Sequence, residues 1–206
     1  MKPLQHISRA TVALGLALGL GQAMAQGVIK IGEINSYKAQ PAFLEPYKKG
    51  MELAVDEINA AGGVNGKKIQ LIIRDDNANP GDAVRAAEEL VSREGVEVLS
   101  GAFLSHIGLA LTDFSKQKKF FFLAGEPLTD KIVWENGHKY TFRLRASTYM
   151  QAAMLVPEAA KLKKKRWAVV YPNYEYGQSA VATFKKLLKA AQPDVEFVAE
   201  QAPALG

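Results

Sequence analysis

The chain has 206 residues, of which 48% are hydrophobic and 23% charged, an ordinary composition for a globular protein. It contains no cysteine, which excludes a disulfide scaffold, thiol catalysis and a cysteine-ligated metal. Its net charge of +5 is small and dispersed, whereas a nucleic-acid-binding protein would carry a basic stripe or a binding motif. The densest basic run, at 161–166, falls between a predicted helix and a predicted strand, where a solvated turn explains it.

The first 25 residues have the layout of a secretory signal peptide. Lys2 and Arg9 precede an uncharged apolar stretch at 11–20, and Ala23 and Ala25 supply the small side chains that a signal peptidase reads. The apolar stretch is too short for a membrane anchor, which needs about 20 residues, and no cysteine follows it for lipid attachment. We expect cleavage after Ala25 and a soluble periplasmic protein of net charge +3; a buried N-terminal helix is the alternative.

From Gly27 onward, short β-rich runs alternate with amphipathic helical runs. The predicted strands are 28–34, 69–74, 96–99, 120–123, 140–144, 167–171 and 195–200. The predicted helices are 47–58, 80–94, 107–117, 129–134, 150–162 and 177–191. Strands and helices that alternate at this spacing predict βαβ units and a parallel sheet, and the mostly apolar strands indicate a sheet covered on both faces.

The elements divide into two units. Residues 26–145 hold five strands and their helices, enough for a lobe with its own core. Residues 146–206 hold two strands and two helices, too few to close an α/β layer, so we expect a fragment whose second lobe is cut short. The alternative is a natural single-lobe protein with a small appendage, which would leave helix faces near Val181, Phe184 and Leu188 poorly covered.

Ligands of an open parallel sheet bind beyond the carboxyl ends of its strands. The loops predicted there are rich in hydroxyls and aromatics, with no nucleophile elbow and no phosphate loop. Three histidines, one of them in the signal peptide, are too few for a histidine metal site. We therefore expect a binding protein with no catalytic residue, metal or cofactor. The ligand-binding residues predicted from these loops are Tyr37, Phe103, Ser105, His106, Glu126 and Tyr176.

Several of these polar residues have two interpretations. Ser105 precedes a helix, where its hydroxyl and the free backbone N–H groups can hold a carboxylate, or where it can act as a plain N-cap. His106 can hydrogen-bond a ligand or lie on the surface. Asp75 and Asp76 are similar to the acidic pocket of a receiver domain, but an exported chain has no phosphorelay partner, so we favour capping and turn roles.

Three segments resemble periplasmic branched-chain amino acid-binding proteins. Residues 48–66, KKGMELAVDEINAAGGVNG, resemble the first-helix signature of that family, as do 74–77 with Pro80 and 176–178. The similarity covers the whole mature segment, about half of a full-length member. It implies a periplasmic-binding-protein type I fold, with parallel sheets covered by helices on both faces in two hinged lobes. Such a receptor is a monomer that closes on a small solute and delivers it to an ABC permease in the inner membrane, with no nucleic-acid partner.

The sequence departs from the amino acid-binding members where they hold their ligand. Their serine-rich stretch after the third strand is reduced to Ser105, and the loop after the fourth strand is shortened to 124–127. The acidic residue that helps to hold the ammonium aligns with Thr148, so the resemblance implies Thr148 as a seventh ligand-binding residue. A buried ammonium without a counter-charge is costly, although Glu126 can supply one.

Two ligand classes and two other function classes remain open at this point. The ligand is either an aliphatic amino acid held by Ser105 and Glu126, or an amine-free organic acid, aromatic acids included. An aromatic box of Tyr37, Phe103, Tyr149 and Tyr176 is one possibility for the latter, although aromatics at such positions commonly belong to a wall or core. The same fold also serves periplasmic sensors or regulatory subunits without a transport role. An exported enzyme is disfavoured because catalytic groups are lacking.

Overall fold

The structure, a computed structural model, describes residues 27–205. Its strands are β1 (Ile29–Asn35), β2 (Ile69–Asp75), β3 (Val98–Gly101), β4 (Phe122–Ala124), β5 (Thr141–Arg143), β6 (Arg166–Val170) and β7 (Glu196–Gln201). Its helices are α1 (Pro41–Ala60), α2 (Pro80–Glu89), α3 (Ser105–Lys118), α4 (Thr148–Lys161) and α5 (Glu175–Ala191). A π-helical turn, Leu90–Glu94, follows α2, and a 3₁₀ turn, Asp130–Ile132, follows β4. The predicted order of elements is confirmed.

The predicted signal peptide lies outside the described residues. Within those residues, each helix is too short or too polar to cross a membrane.

Strands β1 to β5 form one parallel sheet in the order β2-β1-β3-β4-β5. We call this sheet with α1, α2 and α3 lobe one. Because every strand runs in the same direction, the segments that follow the strands emerge at one edge. The register aligns Asn35 with Asp75, Ile34 with Gly101, and Ala124 with Arg143. The predicted parallel sheet is therefore confirmed, and its carboxyl edge gathers the loops that were expected to bind a ligand.

The core of lobe one lies where α2 and α3 pack on the sheet. Ile34, Leu99 and Phe122 are fully buried strand residues, and Leu90 and Leu111 are fully buried residues of the helical layer. Strands that are apolar on both sides suit this arrangement, because helices cover both faces of a parallel sheet. Packing in this core stabilises the sheet, and the ends of its strands set the positions at which the loops begin.

Helices α1 and α2 differ in how clearly the sequence marks their starts. The Asn79 side chain caps α2 by accepting hydrogen bonds from the N–H groups of Gly81 (2.8 Å) and Asp82 (3.1 Å). Helix α1 begins at Pro41, six residues before the predicted start. Its first turn lacks a side-chain cap and buries only Leu44, so it adds no apolar periodicity to the sequence.

Strands β6 and β7 form a separate parallel pair, which with α4 and α5 we call lobe two. Val156, Leu188 and Val195 form its small core. An apolar groove of about 430 Å³ runs along β6 and the facing sides of α4 and α5. Leu155 and Val170, at 61% and 74% exposed, border it. Within residues 27–205, β6 is paired with β7 alone, so one of its edges stays open.

We predict that the core of lobe one depends on Phe122. Phe122→Ala removes a fully buried ring and should lower the free energy of unfolding by about 3–5 kcal/mol. The matched control is Phe142→Ala on neighbouring β5, where the ring is 53% exposed and the loss should be about 1 kcal/mol or less. Urea denaturation of the two variants and the unmodified chain measures both values. Equal losses would contradict this account of the core.

Candidate functional site

A cavity of about 380 Å³ opens between the carboxyl edge of lobe one and the start of α5 in lobe two. We call it the cleft cavity. It is lined by Phe43, Phe103, Ser105, Glu126, Leu128, Arg145, Tyr174 and Tyr176. Its location is the one predicted for a parallel sheet, and its volume falls in the range of small-molecule sites.

Two pairs of aromatic rings line the cleft cavity, one pair from each lobe. In lobe one, Phe43 from α1 stacks on Phe103 from the loop after β3, with ring centroids 5.5 Å apart and an interplanar angle of 22°. In lobe two, the rings of Tyr174 and Tyr176 lie 6.0 Å apart at 45°. These pairs place aromatic side chains at the cavity from both lobes, so a flat or branched apolar group would find contacts in either lobe.

Ser105, the first residue of α3, provides a buried hydroxyl at the cavity. It is 1% exposed, and its Oγ accepts hydrogen bonds from the backbone N–H groups of Leu128 (3.2 Å) and Thr129 (3.3 Å). The N-cap is Leu104, and Ser105 makes no capping hydrogen bond to its own helix, so the plain N-cap interpretation of Ser105 is wrong. Because both lone pairs of Oγ are engaged, the hydroxyl group is left with its O–H as a donor.

Glu126 and Arg145 form an ion pair at the cavity, with 3.5 Å between Oε2 and Nη1. The Glu126 side chain is 13% exposed and the Arg145 side chain 50% exposed. Burial raises the pKa of Glu126, and the guanidinium of Arg145 opposes that rise. The pair offers a guanidinium donor to an anion and a carboxylate to a cation.

A second carboxyl group, that of Glu33 on β1, is fully buried next to the loops that bear the cavity residues. Its Oε1 accepts hydrogen bonds from Asn35 Nδ2 (3.2 Å) and Tyr37 OH (3.1 Å), and its Oε2 accepts one from Ser100 Oγ (2.8 Å). Burial outweighs these hydrogen bonds and raises the pKa of Glu33 to about 7; the charge of Glu126 adds to the rise. Sequence reasoning missed Glu33, although an acidic residue inside an apolar strand is an available signal.

Gly101 makes room for the Glu33 carboxyl group at the end of β3. Its φ of +116° is a conformation that side chains disfavour. A Cβ atom there would lie 2.2 Å from the carbonyl oxygen of Ile34 and 2.6 Å from Glu33 Oε2. Glycine is therefore required where the chain leaves β3 and turns toward Phe103.

Asp75 and Asp76 hold the turn after β2, as predicted. Asp75 accepts hydrogen bonds from the N–H groups of Asn77 (2.7 Å) and Lys38 (2.8 Å). Asp76 Oδ1 accepts from Ser36 Oγ (2.6 Å) and from a backbone N–H within the turn. These hydrogen bonds join the loops after β1 and β2, and they confirm the turn interpretation over the receiver-type pocket.

Four of the seven predicted ligand-binding residues line the cleft cavity: Phe103, Ser105, Glu126 and Tyr176. The other three, Tyr37, His106 and Thr148, are not among its lining residues. The Tyr37 hydroxyl donates to the buried carboxylate of Glu33. Contact with a ligand stays a prediction for Tyr37, His106 and Thr148. The structure shows contacts within the protein for each of the three.

His106 and Thr148 lie at contacts between the two lobes. The His106 ring packs edge-on against Tyr174, with centroids 5.8 Å apart, and burial lowers its pKa. The Thr148 hydroxyl lies 2.7 Å from both Asp130 Oδ2 and Ser179 Oγ, where it helps to fix the start of α4.

Sequence reasoning missed four residues of the cavity: Phe43, Leu128, Arg145 and Tyr174. The signal for Phe43 was Pro41, because proline favours the first position of a helix. Arg145 follows β5. The N–H of Leu144 donates to the carbonyl of Ala124 at the end of β4, so the pairing of β4 with β5 places Arg145 near Glu126. Tyr174 stands two residues before the predicted Tyr176.

Across residues 27–205, histidine, aspartate and glutamate side chains form no cluster of three or more that could hold a metal ion.

The sequence profile of a family described as periplasmic binding protein matches residues 28–206. The chain belongs to this family. A leucine-, isoleucine-, valine-, threonine- and alanine-binding protein of Pseudomonas aeruginosa is 29% identical over 196 residues, covering 92% of this chain and 51% of that protein. Leu/Ile/Val-binding protein homolog 7 of Brucella abortus is 32% identical over 203 residues, covering 91% of this chain and 48% of that protein. The resemblance to branched-chain amino acid-binding proteins is thereby confirmed.

The fold also matches a solved structure of the same class. The solute-binding protein of an ABC transporter from Rhodopseudomonas palustris BisB5, in complex with 3,4-dihydroxybenzoic acid, superposes with a TM-score of 0.76 at 26% identity. The match covers 85% of this chain and 47% of that one. The type I periplasmic-binding-protein fold is confirmed, and the chain spans about half the length of the curated relatives it matches.

We predict that Glu33 makes stability depend on pH. Its pKa is raised from 4.5 to about 7 in the folded protein, so the folded state binds more protons than the unfolded state between these values. The stability that Glu33 contributes is therefore fully present below about pH 4.5 and is lost, by roughly 3 kcal/mol, as the pH rises through about 7.

Urea denaturation of the unmodified chain and of Glu33→Gln from pH 4.5 to 8 tests this dependence. The variant has no titrating group at this position, so the stability of the unmodified chain relative to the variant should decline as the pH rises. A difference that stays constant across the range would contradict the raised pKa.

Proposed function

We propose that the chain is the solute-binding component of an ABC importer, which captures a small organic carboxylate in the periplasm and delivers it to a permease in the inner membrane. One observation carries this proposal: the cleft cavity takes aromatic walls from both lobes and places a buried hydroxyl and a guanidinium between them. A cavity shared by two lobes couples ligand binding to their closure, which a permease can recognise.

Ser105 and Arg145 suit the carboxylate of the solute. The Ser105 O–H is free to donate, and Arg145 offers a planar set of N–H donors that matches carboxylate geometry. Ser105 also lies at the start of α3, where the helix dipole favours negative charge. The solute would compete with Glu126 for Arg145, whose side chain is half exposed and whose ion pair with Glu126 is long at 3.5 Å.

The aromatic pairs favour an aromatic acid as the solute. Each lobe provides a pair of aromatic rings. The ring centroids of Phe43 and Phe103 in lobe one lie 5.5 Å apart, and those of Tyr174 and Tyr176 in lobe two lie 6.0 Å apart. The protein from Rhodopseudomonas palustris, which was solved with 3,4-dihydroxybenzoic acid, has the same fold. That ligand combines an aromatic ring, a carboxylate and hydroxyl groups, the chemistry that this cavity would accommodate.

An aliphatic amino acid is the second candidate, and Glu126 favours it. The Glu126 carboxylate lines the cavity and would meet the ammonium group, while Arg145 and Ser105 would meet the carboxylate. The relatives from Pseudomonas aeruginosa and Brucella abortus are named for branched-chain amino acids. Against this candidate, the charge of Glu126 is already opposed by Arg145.

A binding role fits the cavity better than catalysis. The side chain that resembles a nucleophile, Ser105, accepts two backbone hydrogen bonds, and no lining residue is a histidine that could act as its base. A sensor without a transport role would use the same cavity. Deletion of the gene separates the two: loss of solute uptake supports import, and unchanged uptake with a lost transcriptional response supports sensing.

We predict that Arg145 is needed for binding of an aromatic acid. Isothermal titration with 3,4-dihydroxybenzoate should show binding, and Arg145→Gln should weaken it at least tenfold because a charge-assisted contact to the carboxylate is lost. The matched control is Lys189→Gln, which removes an exposed positive charge at the far end of α5 and should leave the affinity unchanged.

Titration with leucine separates the two candidate solutes. Leucine binding that Glu126→Gln abolishes, together with no response to 3,4-dihydroxybenzoate, would overturn the aromatic-acid proposal in favour of the amino acid.

A further inference from the structure

Glu175, the first residue of α5, connects lobe two to lobe one. Its Oε1 accepts a hydrogen bond of 2.7 Å from Thr129 Oγ1, and its Oε2 lies 3.1 Å from Lys131 Nζ. Thr129 and Lys131 belong to the segment after β4 in lobe one, so both oxygens of one carboxylate are engaged across the lobes. The Glu175 side chain is 13% exposed, and Thr129 is fully buried.

This contact lies directly behind the walls of the cleft cavity. Glu175 stands between Tyr174 and Tyr176, which line the cavity from lobe two. Thr129 follows Leu128, which lines it from lobe one, and the N–H of Thr129 donates to Ser105 Oγ. A single chain of hydrogen bonds therefore runs from the cavity hydroxyl through the backbone of Thr129 to Glu175, which itself does not line the cavity.

The Thr129 hydrogen bond should contribute more than the Lys131 ion pair. It is buried and has a charged acceptor, which makes such a bond stronger than one between neutral groups. The start of α5 adds to it, because the positive end of the helix dipole favours the Glu175 carboxylate. Lys131 is 45% exposed, and an ion pair at such a site contributes little.

One other contact between the lobes lies close to the point where the chain passes from lobe one into lobe two. Thr148, which bonds Asp130, lies where the chain passes from β5 of lobe one into α4 of lobe two. A contact beside a pivot changes little when two bodies rotate about it. Glu175 lies a further 27 residues along the chain, beyond α4 and β6, and its bond to Thr129 must break if the lobes separate.

We propose that Glu175 is a positioning residue that holds the two lobes closed over the cleft cavity by bonding Thr129, without itself touching the solute. Its effect on solute retention rests on the proposed binding function. Its effect on the distance between the lobes does not, and this distance is measured without any solute.

Spin-label distance measurement tests the proposal, since the chain has no cysteine and labels attach only where cysteine is introduced. Lys116→Cys on α3 and Lys189→Cys on α5 are exposed positions, one in each lobe. In the solute-free, full chain carrying both labels, Glu175→Ala and Thr129→Val should each lower the ratio of the short-distance to the long-distance population about tenfold. The double variant should do no more than either alone, because both remove the same bond.

Three further variants separate a bond between lobes from a general loss of structure. Glu175→Gln keeps an oxygen that accepts from Thr129 and should retain most of the short-distance population. Lys131→Met should change it less than twofold, since it removes only the exposed partner. The matched control is Glu158→Ala, which removes a carboxylate that pairs with Lys161 within α4, and it should match the unmodified chain.

A short-distance population that is unchanged in Glu175→Ala would overturn the proposal, as would an equal loss in Glu158→Ala. If the distances shift as expected but 3,4-dihydroxybenzoate and leucine both fail to bind the unmodified chain, the positioning role stands and the proposed function fails.

Discussion

The cleft cavity depends on the parallel pairing of the strands in lobe one. Five strands that run the same way deliver the segments after them to a single edge, and the register sets which residues meet there. Ile34 lies opposite Gly101, and Ala124 lies opposite Arg143, so the starts of the loops that bear Phe103, Glu126 and Arg145 are fixed by backbone hydrogen bonds. The side chains at the cavity are thus positioned by strands that the buried core of lobe one stabilises.

The two carboxyl groups at this edge differ in whether a positive charge lies beside them. Arg145 opposes Glu126, whereas the hydrogen-bond partners of Glu33 are the neutral side chains of Asn35, Tyr37 and Ser100. A carboxylate in that environment loses its hydration without gaining a counter-charge, which is why its pKa rises. The neutral and charged forms of Glu33 are therefore both accessible near neutral pH, close to the loops that carry the binding residues.

The fold and part of the site were predictable because they follow from local patterns. Alternation of β-rich and amphipathic segments gave the order of elements, and the rule for parallel sheets gave the correct edge, with Phe103, Ser105, Glu126 and Tyr176 at the cavity.

Phe43 was missed because the first turn of α1 is largely exposed and has no apolar period. Thr148 was expected at the ligand through alignment with an acidic residue, yet its hydroxyl bonds Asp130 and Ser179, contacts that depend on how two lobes meet. Pairings across lobes have no signature in sequence spacing.

The open edge of β6 has a consequence for which strands can pair with it. Among residues 27–205, the backbone groups along this edge beside Val170 have no strand partner, and the groove next to it is apolar. Such an edge with apolar neighbours is a template for strand addition, so a further strand, from this protein or from a second copy, can extend the sheet there. Because Tyr176 lines both this groove and the cleft cavity, a strand added beside β6 would lie close to the lobe-two wall of the cavity.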